Sequence, residues 1–316
     1  MGKFSFKKIF LIIFANVILL IFVGGIIECL SYFIIQKLWC SPNNRPFLDY
    51  RFILKKKPDV KKEIEQFSYS IKGDENKRPI VLLGCSYTAG FLLEENETFT
   101  ANLNTYTGRS IYNYALVGGS MATVLRQLQS EDFLKELPKN PEYFIYTYII
   151  DHNKRCYERS PDGWENNILL DLYEVDGKNN LRKVPCENVC TFFCSTATYR
   201  LWRMTLGQMV AKSGDFSLPD AIISEISNIL KKEFPNSKFA IIVYDDNSYT
   251  INLPLDYEEK MMSEIAQKND IKILFTKKMT AGKDILDGKY RASDNVHPSG
   301  EAWKKLTPDI AKALNL

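Results

Sequence analysis

The chain has 316 residues, of which 45% are hydrophobic and 25% charged, with a formal net charge of +3. That length suits one sizeable domain with appendages, and the composition is globular rather than disordered or fibrous. The small net charge, with no basic stripe interleaved with aromatics, excludes an electrostatic case for nucleic-acid binding. From the N-terminus, Ile9 to Ile27 is apolar throughout except for Asn16, and the apolar character resumes after Glu28 through Ile35. About 20 apolar residues span a bilayer, so this run predicts one transmembrane helix. Lys3, Lys7 and Lys8 precede it and no Ala-x-Ala site follows, as expected for a signal anchor rather than a cleaved signal peptide. Basic residues also follow the span (Lys37, Arg45, Arg51, Lys55 to Lys57), so charge alone leaves its orientation open. Residues 1–40 are therefore read as a membrane anchor. Residues 41–76, turn-rich at Ser41 to Pro46 and charged from Lys55 to Gln66, are read as a linker or approach segment.

A first strand is expected over about 79–84, because Pro79 to Leu83 is a short continuous apolar run of the kind buried on both faces of a parallel sheet. It ends in Gly84-Cys85-Ser86-Tyr87-Thr88-Ala89-Gly90, which brings a hydroxyl to the carboxyl end of the strand, where open α/β sheets place their ligands. Ser86 reads either as a helix N-cap or as a nucleophile that needs a base elsewhere. A second strand is expected from Ser110 to Ala115, leading through Gly118-Gly119 into a helix over about 120–136 with Met121, Val124, Leu125 and Leu128 on one face. A third strand covers about 143–150. An insertion follows over about 155–217, with a β-hairpin from Leu170 to Val184 around Asp176-Gly177 and helical register from Thr196 to Lys212. The α/β alternation then returns. A helix spans about Asp220 to Glu233, a strand Lys238 to Tyr244, a helix Tyr257 to Lys268 and a strand Ile271 to Phe275. Thr307-Pro308 is expected to restart the final helix, as N-cap and first helical residue. Strands alternating with helices predict an α/β fold, a three-layer α/β/α sandwich around a parallel sheet.

The chain has only two histidines. His297 lies in Asp294-Asn295-Val296-His297-Pro298, and an Asp three residues before a His lets the carboxylate hold one ring nitrogen while the other faces Ser86. Of the seven cysteines, Cys85 is expected to be buried beside the candidate nucleophile, pointing away from the base. Cys156, Cys186, Cys190 and Cys194 form an even set within the insertion, and two structural disulfides are the expectation outside the cytoplasm, with free thiols or a metal as alternatives. The spacing of the last three matches neither a zinc Cys-x2-Cys pair nor the usual iron–sulfur patterns. The 17 Tyr and 19 Phe are expected mostly in the core, although they would also suit a carbohydrate-contacting surface.

Gly84 to Thr88, followed by Glu95-Asn96-Glu97-Thr98-Phe99, resembles the first block of the SGNH/GDSL hydrolase family, and more narrowly the bacterial branch that reads Gly-Cys-Ser-Phe-Thr. Tyr112-Asn113-Tyr114-Ala115-Leu116-Val117-Gly118-Gly119 resembles the second block, whose glycine amide helps to form the oxyanion hole. Asp294 to His297 resembles the last block, Asp-x-x-His. The resemblance covers roughly residues 77–316, three blocks in the family's order. It implies an SGNH, flavodoxin-like sandwich with Ser86, His297 and Asp294 as catalytic residues and Gly118 as an oxyanion donor. It also implies small acyl groups, such as acetyl, on a cell-envelope glycan as substrate, and no metal or organic cofactor.

The third block departs from the family's Gly-x-Asn-Asp, because Asp151-His152-Asn153-Lys154-Arg155 places Asp151 at the Asn position. An ionised carboxylate there would repel an oxyanion, so Asn153 takes the role, His152 donates from this loop, or the hole relies on backbone amides. The family's anchored members usually act outside the cytoplasm, which implies an extracytoplasmic domain on a bacterial inner or cytoplasmic membrane. The expected activity is that of a serine esterase or acyltransferase, whose partners are an ester substrate and the membrane. The alternatives are a catalytically degenerate SGNH-fold glycan-binding or assembly protein, a Cys85 nucleophile, and a membrane structural or interaction protein. The sequence leaves the oligomeric state, the acyl group and the acceptor open.

Overall fold

The structure, a computed structural model, describes residues 22–27, 29–30, 69–157, 172–175, 180–184, 216–244, 255–279, 290–294 and 296–316. The chain divides into two units: Met1–Leu54 with Pro161–Gly163 and Cys186–Ala211, and Lys55–Ser160 with Trp164–Pro185 and Lys212–Leu316. In the first unit, residues 22–27 and 29–30 are helical and exposed. No helix among the described residues is long and apolar enough to cross a membrane. Most of the span expected from Ile9 to Ile27 lies outside the described residues, as do Cys186, Cys190, Cys194 and the helix expected over 196–212.

The second unit is built on a mixed six-stranded sheet. Its strands are β1 (Tyr69–Ile71), β2 (Ile80–Leu83), β3 (Ile111–Asn113), β4 (Tyr143–Tyr148), β7 (Lys238–Val243) and β8 (Lys272–Phe275), in the spatial order β1-β3-β2-β4-β7-β8. β5 (Leu172–Val175) and β6 (Leu181–Val184) pair separately as the expected antiparallel hairpin. In the large sheet only β1 runs antiparallel. All four residues of β2 and all six of β4 are buried, and their side chains alternate between two apolar layers. Val81, Leu83, Phe144, Tyr146 and Tyr148 face one layer, and Ile80, Leu82, Tyr143 and Ile145 the other. A strand buried on both faces needs helices on both sides, and the sequence supplies them.

The helices are α1 (Ser86–Ala89), α2 (Phe99–Thr107), α3 (Met121–Leu128), α4 (Glu131–Glu136), α5 (Asp151–Tyr157), α6 (Ser217–Glu233), α7 (Leu255–Lys268) and α8 (Gly300–Leu314). Val124 and Leu128 of α3, Ile222, Ile226 and Leu230 of α6, and Met262 and Ile265 of α7 fill the first layer. Phe99 and Leu103 of α2 and Trp303, Leu306 and Ile310 of α8 fill the second. Phe99 and Trp303 stack with ring centroids 4.6 Å apart, which seats the start of α8 on α2.

Four local expectations are corrected. The helix expected over 120–136 is two helices, because Ser130 starts a new one by accepting from the Phe133 amide. The final helix does not restart at Thr307-Pro308. It runs unbroken from Gly300, capped by Ser299, with Pro308 in its interior. The missing Pro308 N–H costs about 3 kcal/mol in an average helix. Here the apolar face Trp303, Leu306, Ile310 and Leu314 is continuous across it, and the Thr307 hydroxyl donates to the Trp303 carbonyl at 2.7 Å. The sheet begins at Tyr69, inside the stretch read as an approach segment. Tyr69 anchors β1 by donating to Thr100 Oγ1. Finally, Cys156 is a free, buried thiol rather than half of a disulfide, and burial pushes it up to about 12.

Within the insertion, the hairpin packs into the first layer through Tyr173, whose hydroxyl donates to Gln129 Oε1 at 2.8 Å.

Candidate active site

The site grows from the end of β2. Gly84 has φ +150, and a Cβ there would lie 2.5 Å from Thr88 Oγ1, so glycine lets the chain fold sharply into α1. Ser86 is the first residue of α1, with Cys85 as the N-cap position and no side-chain cap. The capping reading of Ser86 is thereby set aside. Gly84 passes its carbonyl to the Leu116 amide, and the buried Asn113 side chain donates to the Thr88 carbonyl and Thr100 Oγ1 while accepting from the Ala115 amide. One asparagine thus ties the turn that carries Ser86 to the end of β3.

Beyond β3 the chain makes a tight turn closed by the Gly119 amide donating to the Leu116 carbonyl at 2.8 Å. Its third residue, Gly118, has φ +78, as a type II turn requires. A Cβ on Gly119 would come within 2.8 Å of the Gly84 carbonyl oxygen, so this turn lies directly against the turn that carries Ser86. Among the described residues no backbone carbonyl accepts from the Gly118 amide.

The third component is the loop before α8. Asp294 Oδ1 accepts from the amides of Val296 and His297, at 3.0 Å each, and Oδ2 meets His297 Nδ1 at 2.5 Å. On the other side of the ring, His297 Nε2 lies 2.7 Å from Ser86 Oγ. A carboxylate only accepts, so Nδ1 carries the ring proton and Nε2 accepts from the serine hydroxyl. The loop is held by Ala292 donating to the His297 carbonyl and by Ser299 donating to the Tyr290 carbonyl. The Tyr87 hydroxyl, one residue past Ser86, donates to the Val296 carbonyl at 3.0 Å. The Tyr87 and Phe91 rings flank the imidazole with centroids 5.1 and 5.2 Å from it. Burial would raise the Asp294 carboxyl, but the bond from the His297 ring and those from the Val296 and His297 amides outweigh it and hold the carboxyl below its ordinary range. Ser86 and the Asp294–His297 pair, more than 200 residues apart in the chain, form one hydrogen-bonded line.

The residues after β4 form helix α5 rather than a loop. Asp151 Oδ2 accepts from Arg155 Nε at 2.6 Å, and Arg155 Nη1 donates to the Gly119 carbonyl at 3.1 Å. His152 is fully buried. Its Nδ1 is hydrogen-bonded to the Tyr146 hydroxyl, the Tyr146 ring is stacked on it, and the Tyr148 ring meets it edge-on. Burial, with the nearby Arg155 charge, pushes His152 well below the ordinary histidine value and keeps it neutral. Asn153, on the same turn, is also buried, and its backbone amide donates to the Ile150 carbonyl. Sequence reasoning passed over Arg155, although Asp-x3-Arg is the i,i+4 spacing of a helical ion pair. It also passed over Asn113 and Tyr87. Cys85 is buried with its thiol raised, chiefly by desolvation. Among the described residues no three His, Cys, Asp or Glu side chains group as metal ligands.

No family model matches the sequence, and no curated protein matches it either. Three solved structures illustrate what the fold is similar to. One is a GDSL-like lipase described as putative, from Parabacteroides merdae, with a TM-score of 0.43 at 13% identity, covering 78% of this chain and 97% of that one. Another is Axe2, an acetylxylan esterase from Geobacillus stearothermophilus, with a TM-score of 0.43 at 13% identity over 76% of this chain and 94% of that one. The third is a carbohydrate esterase family 2 enzyme with a carbohydrate-binding domain from Corynascus thermopiles (Myceliophthora fergusii). It has a TM-score of 0.44 at 11% identity over 75% of this chain and 65% of that one.

Proposed function

We propose that the protein is an SGNH-type serine esterase or acyltransferase acting on small ester-linked acyl groups. The observation that carries this reading is the line from Asp294 through His297 to Ser86 at the carboxyl end of β2. Ser86 Oγ attacks the ester carbonyl carbon while its proton passes to His297 Nε2. Asp294, kept ionised by its three hydrogen bonds, supports the imidazolium that forms. The oxyanion is met by the Gly118 amide and by the amide of Ser86, which as first residue of α1 has no acceptor within the helix. Each such donor is worth about 3 kcal/mol in the transition state. Asn153 is the candidate for a third donor, since it carries the amide side chain that the resemblance calls for. The leaving alkoxide then takes the proton from Nε2, and an acyl group remains on Ser86.

Release repeats the cycle with a second nucleophile. If water enters, Nε2 removes its proton and the products are a carboxylic acid and free Ser86. If a sugar hydroxyl enters, the acyl group is transferred instead. The apolar run from Ile9 to Ile27 behind Lys3, Lys7 and Lys8 supports a single-pass anchor in a bacterial cytoplasmic membrane. The resemblance supports a catalytic domain on its outer side and a cell-envelope glycan as substrate. A protease added to spheroplasts or protoplasts should then cut the domain, and protection until lysis would reverse that topology.

The esterase reading is tested with p-nitrophenyl acetate and the full-length chain. Wild type should release p-nitrophenol with a burst equal to the enzyme concentration, and Ser86→Ala should lower turnover by roughly 10⁴-fold or more. Equal rates for the two would reject it.

A further inference from the structure

The mechanism above leaves one part of the site unused, the ion pair at the start of α5. Arg155 reaches in two directions, from Nε to Asp151 Oδ2 at 2.6 Å and from Nη1 to the Gly119 carbonyl at 3.1 Å. Neither partner is freely solvated, since the Arg155 and Asp151 side chains are 12% and 17% exposed. Gly119 is the closing residue of the turn that contains Gly118. Its amide is already held by the Leu116 carbonyl, so Arg155 fastens the same residue from its other side. The pair also reaches the Ser86 turn electrostatically. On Cys85, the neighbour of Ser86, the Arg155 charge and the Asp151 charge act with opposite sign.

We infer that Arg155 is a positioning residue of the active site: it locks the Gly118–Gly119 turn through the Gly119 carbonyl and neutralises Asp151, so that a carboxylate near the strand ends does not oppose the oxyanion. This rests on the esterase reading of the same site. It explains how the chain can carry an acid where the resemblance calls for an asparagine. A lone carboxylate beside a developing negative charge raises the barrier, whereas a close ion pair presents a dipole and very little net field. The planar guanidinium suits the task because its fork serves two acceptors at a fixed angle, which a lysine ammonium does not do.

The test compares Arg155→Met, Arg155→Lys and the double variant Asp151→Asn/Arg155→Met on p-nitrophenyl acetate. Rates are taken per folded molecule, with thermal melting as the control on folding. Arg155→Met should lower kcat about 100-fold with KM changed less than about threefold, the size seen when one oxyanion donor is lost. Adding Asp151→Asn should restore at least about tenfold of that loss, because the uncompensated charge is gone. Arg155→Lys, which keeps the charge but not the fork, should lie between, about tenfold below wild type. If Arg155→Met does not fold, Arg155→Lys decides by the same kcat criterion. A kcat within about threefold of wild type, or a double variant no faster than Arg155→Met, would overturn the inference. Failure of the underlying esterase reading is distinguishable, because Ser86→Ala would then turn over as fast as wild type.

Discussion

The two histidines stand in two regions of similar sequence and opposite character. Each has an aspartate within three residues on its N-terminal side, at Asp151 and Asp294. Around His297 the backbone wraps the carboxylate, so Asp294 spends one oxygen on two amides and the other on the ring, and Nε2 is left for Ser86. Around His152 the backbone is helical, so Asp151 is aligned with Arg155 one turn on, and the imidazole is sealed between Tyr146 and Tyr148. One loop orients a ring between a proton donor and a counter-charge. The helix buries a neutral ring as a packing and hydrogen-bonding element. Local backbone shape, more than the presence of an Asp and a His, decides which histidine is presented to a serine hydroxyl.

The contrast is broken most directly by the same substitution at both rings. His297→Gln should lower kcat by roughly 10⁴-fold or more, since no base remains to take the Ser86 proton. His152→Gln should keep kcat per folded molecule within about tenfold of wild type and lose stability instead, by about 1–3 kcal/mol, as its buried bond to Tyr146 is disturbed. Stopped turnover in both, with both proteins folded, would place His152 in the chemistry and remove the distinction.

Asp294→Asn sharpens it further. The amide cannot support the imidazolium, so kcat should fall about 10²- to 10⁴-fold while KM moves little. A drop of less than about fivefold would mean that Asp294 only shapes the loop.

The smallest effect is on the pH dependence of stability. The Asp294 carboxyl is held below its ordinary value of 3.8 in the folded protein, so its contribution to stability is fully present above the unfolded-state pKa and is lost as pH falls through the lower folded value. The melting-temperature difference between wild type and Asp294→Asn should therefore shrink as pH falls below about pH 4, relative to its value at about pH 5. A difference that grew as pH fell below about 4 would contradict the depressed pKa.

Much of this arrangement was legible in the sequence, for identifiable reasons. β2 could be read because its four residues face apolar layers on both sides. Ser86, Asp294 and His297 could be read because strand-end and pre-helix positions constrain where such side chains point. The features that escaped depend on partners distant in sequence. β1 is only three residues long and partly exposed, and it exists because β3 and Thr100 receive it. The break at Ser130 interrupts an apolar stripe that continues to Phe133, so periodicity alone runs the two helices together. Pro308 obeys no local rule, because a face that begins at Trp303 overrides it. Arg155 was passed over because its significance lies in the Gly119 carbonyl, which no spacing reveals.

Covalent capture shows whether Ser86 is a nucleophile activated by His297. The full-length chain is treated with a fluorophosphonate, and the modified peptide is mapped by mass spectrometry in wild type, Ser86→Ala and His297→Gln. One adduct per molecule on Ser86 in wild type, absent from both variants, is the predicted result. A folded wild type that takes up no reagent, or labelling that persists at Cys85 or elsewhere in Ser86→Ala, would contradict it.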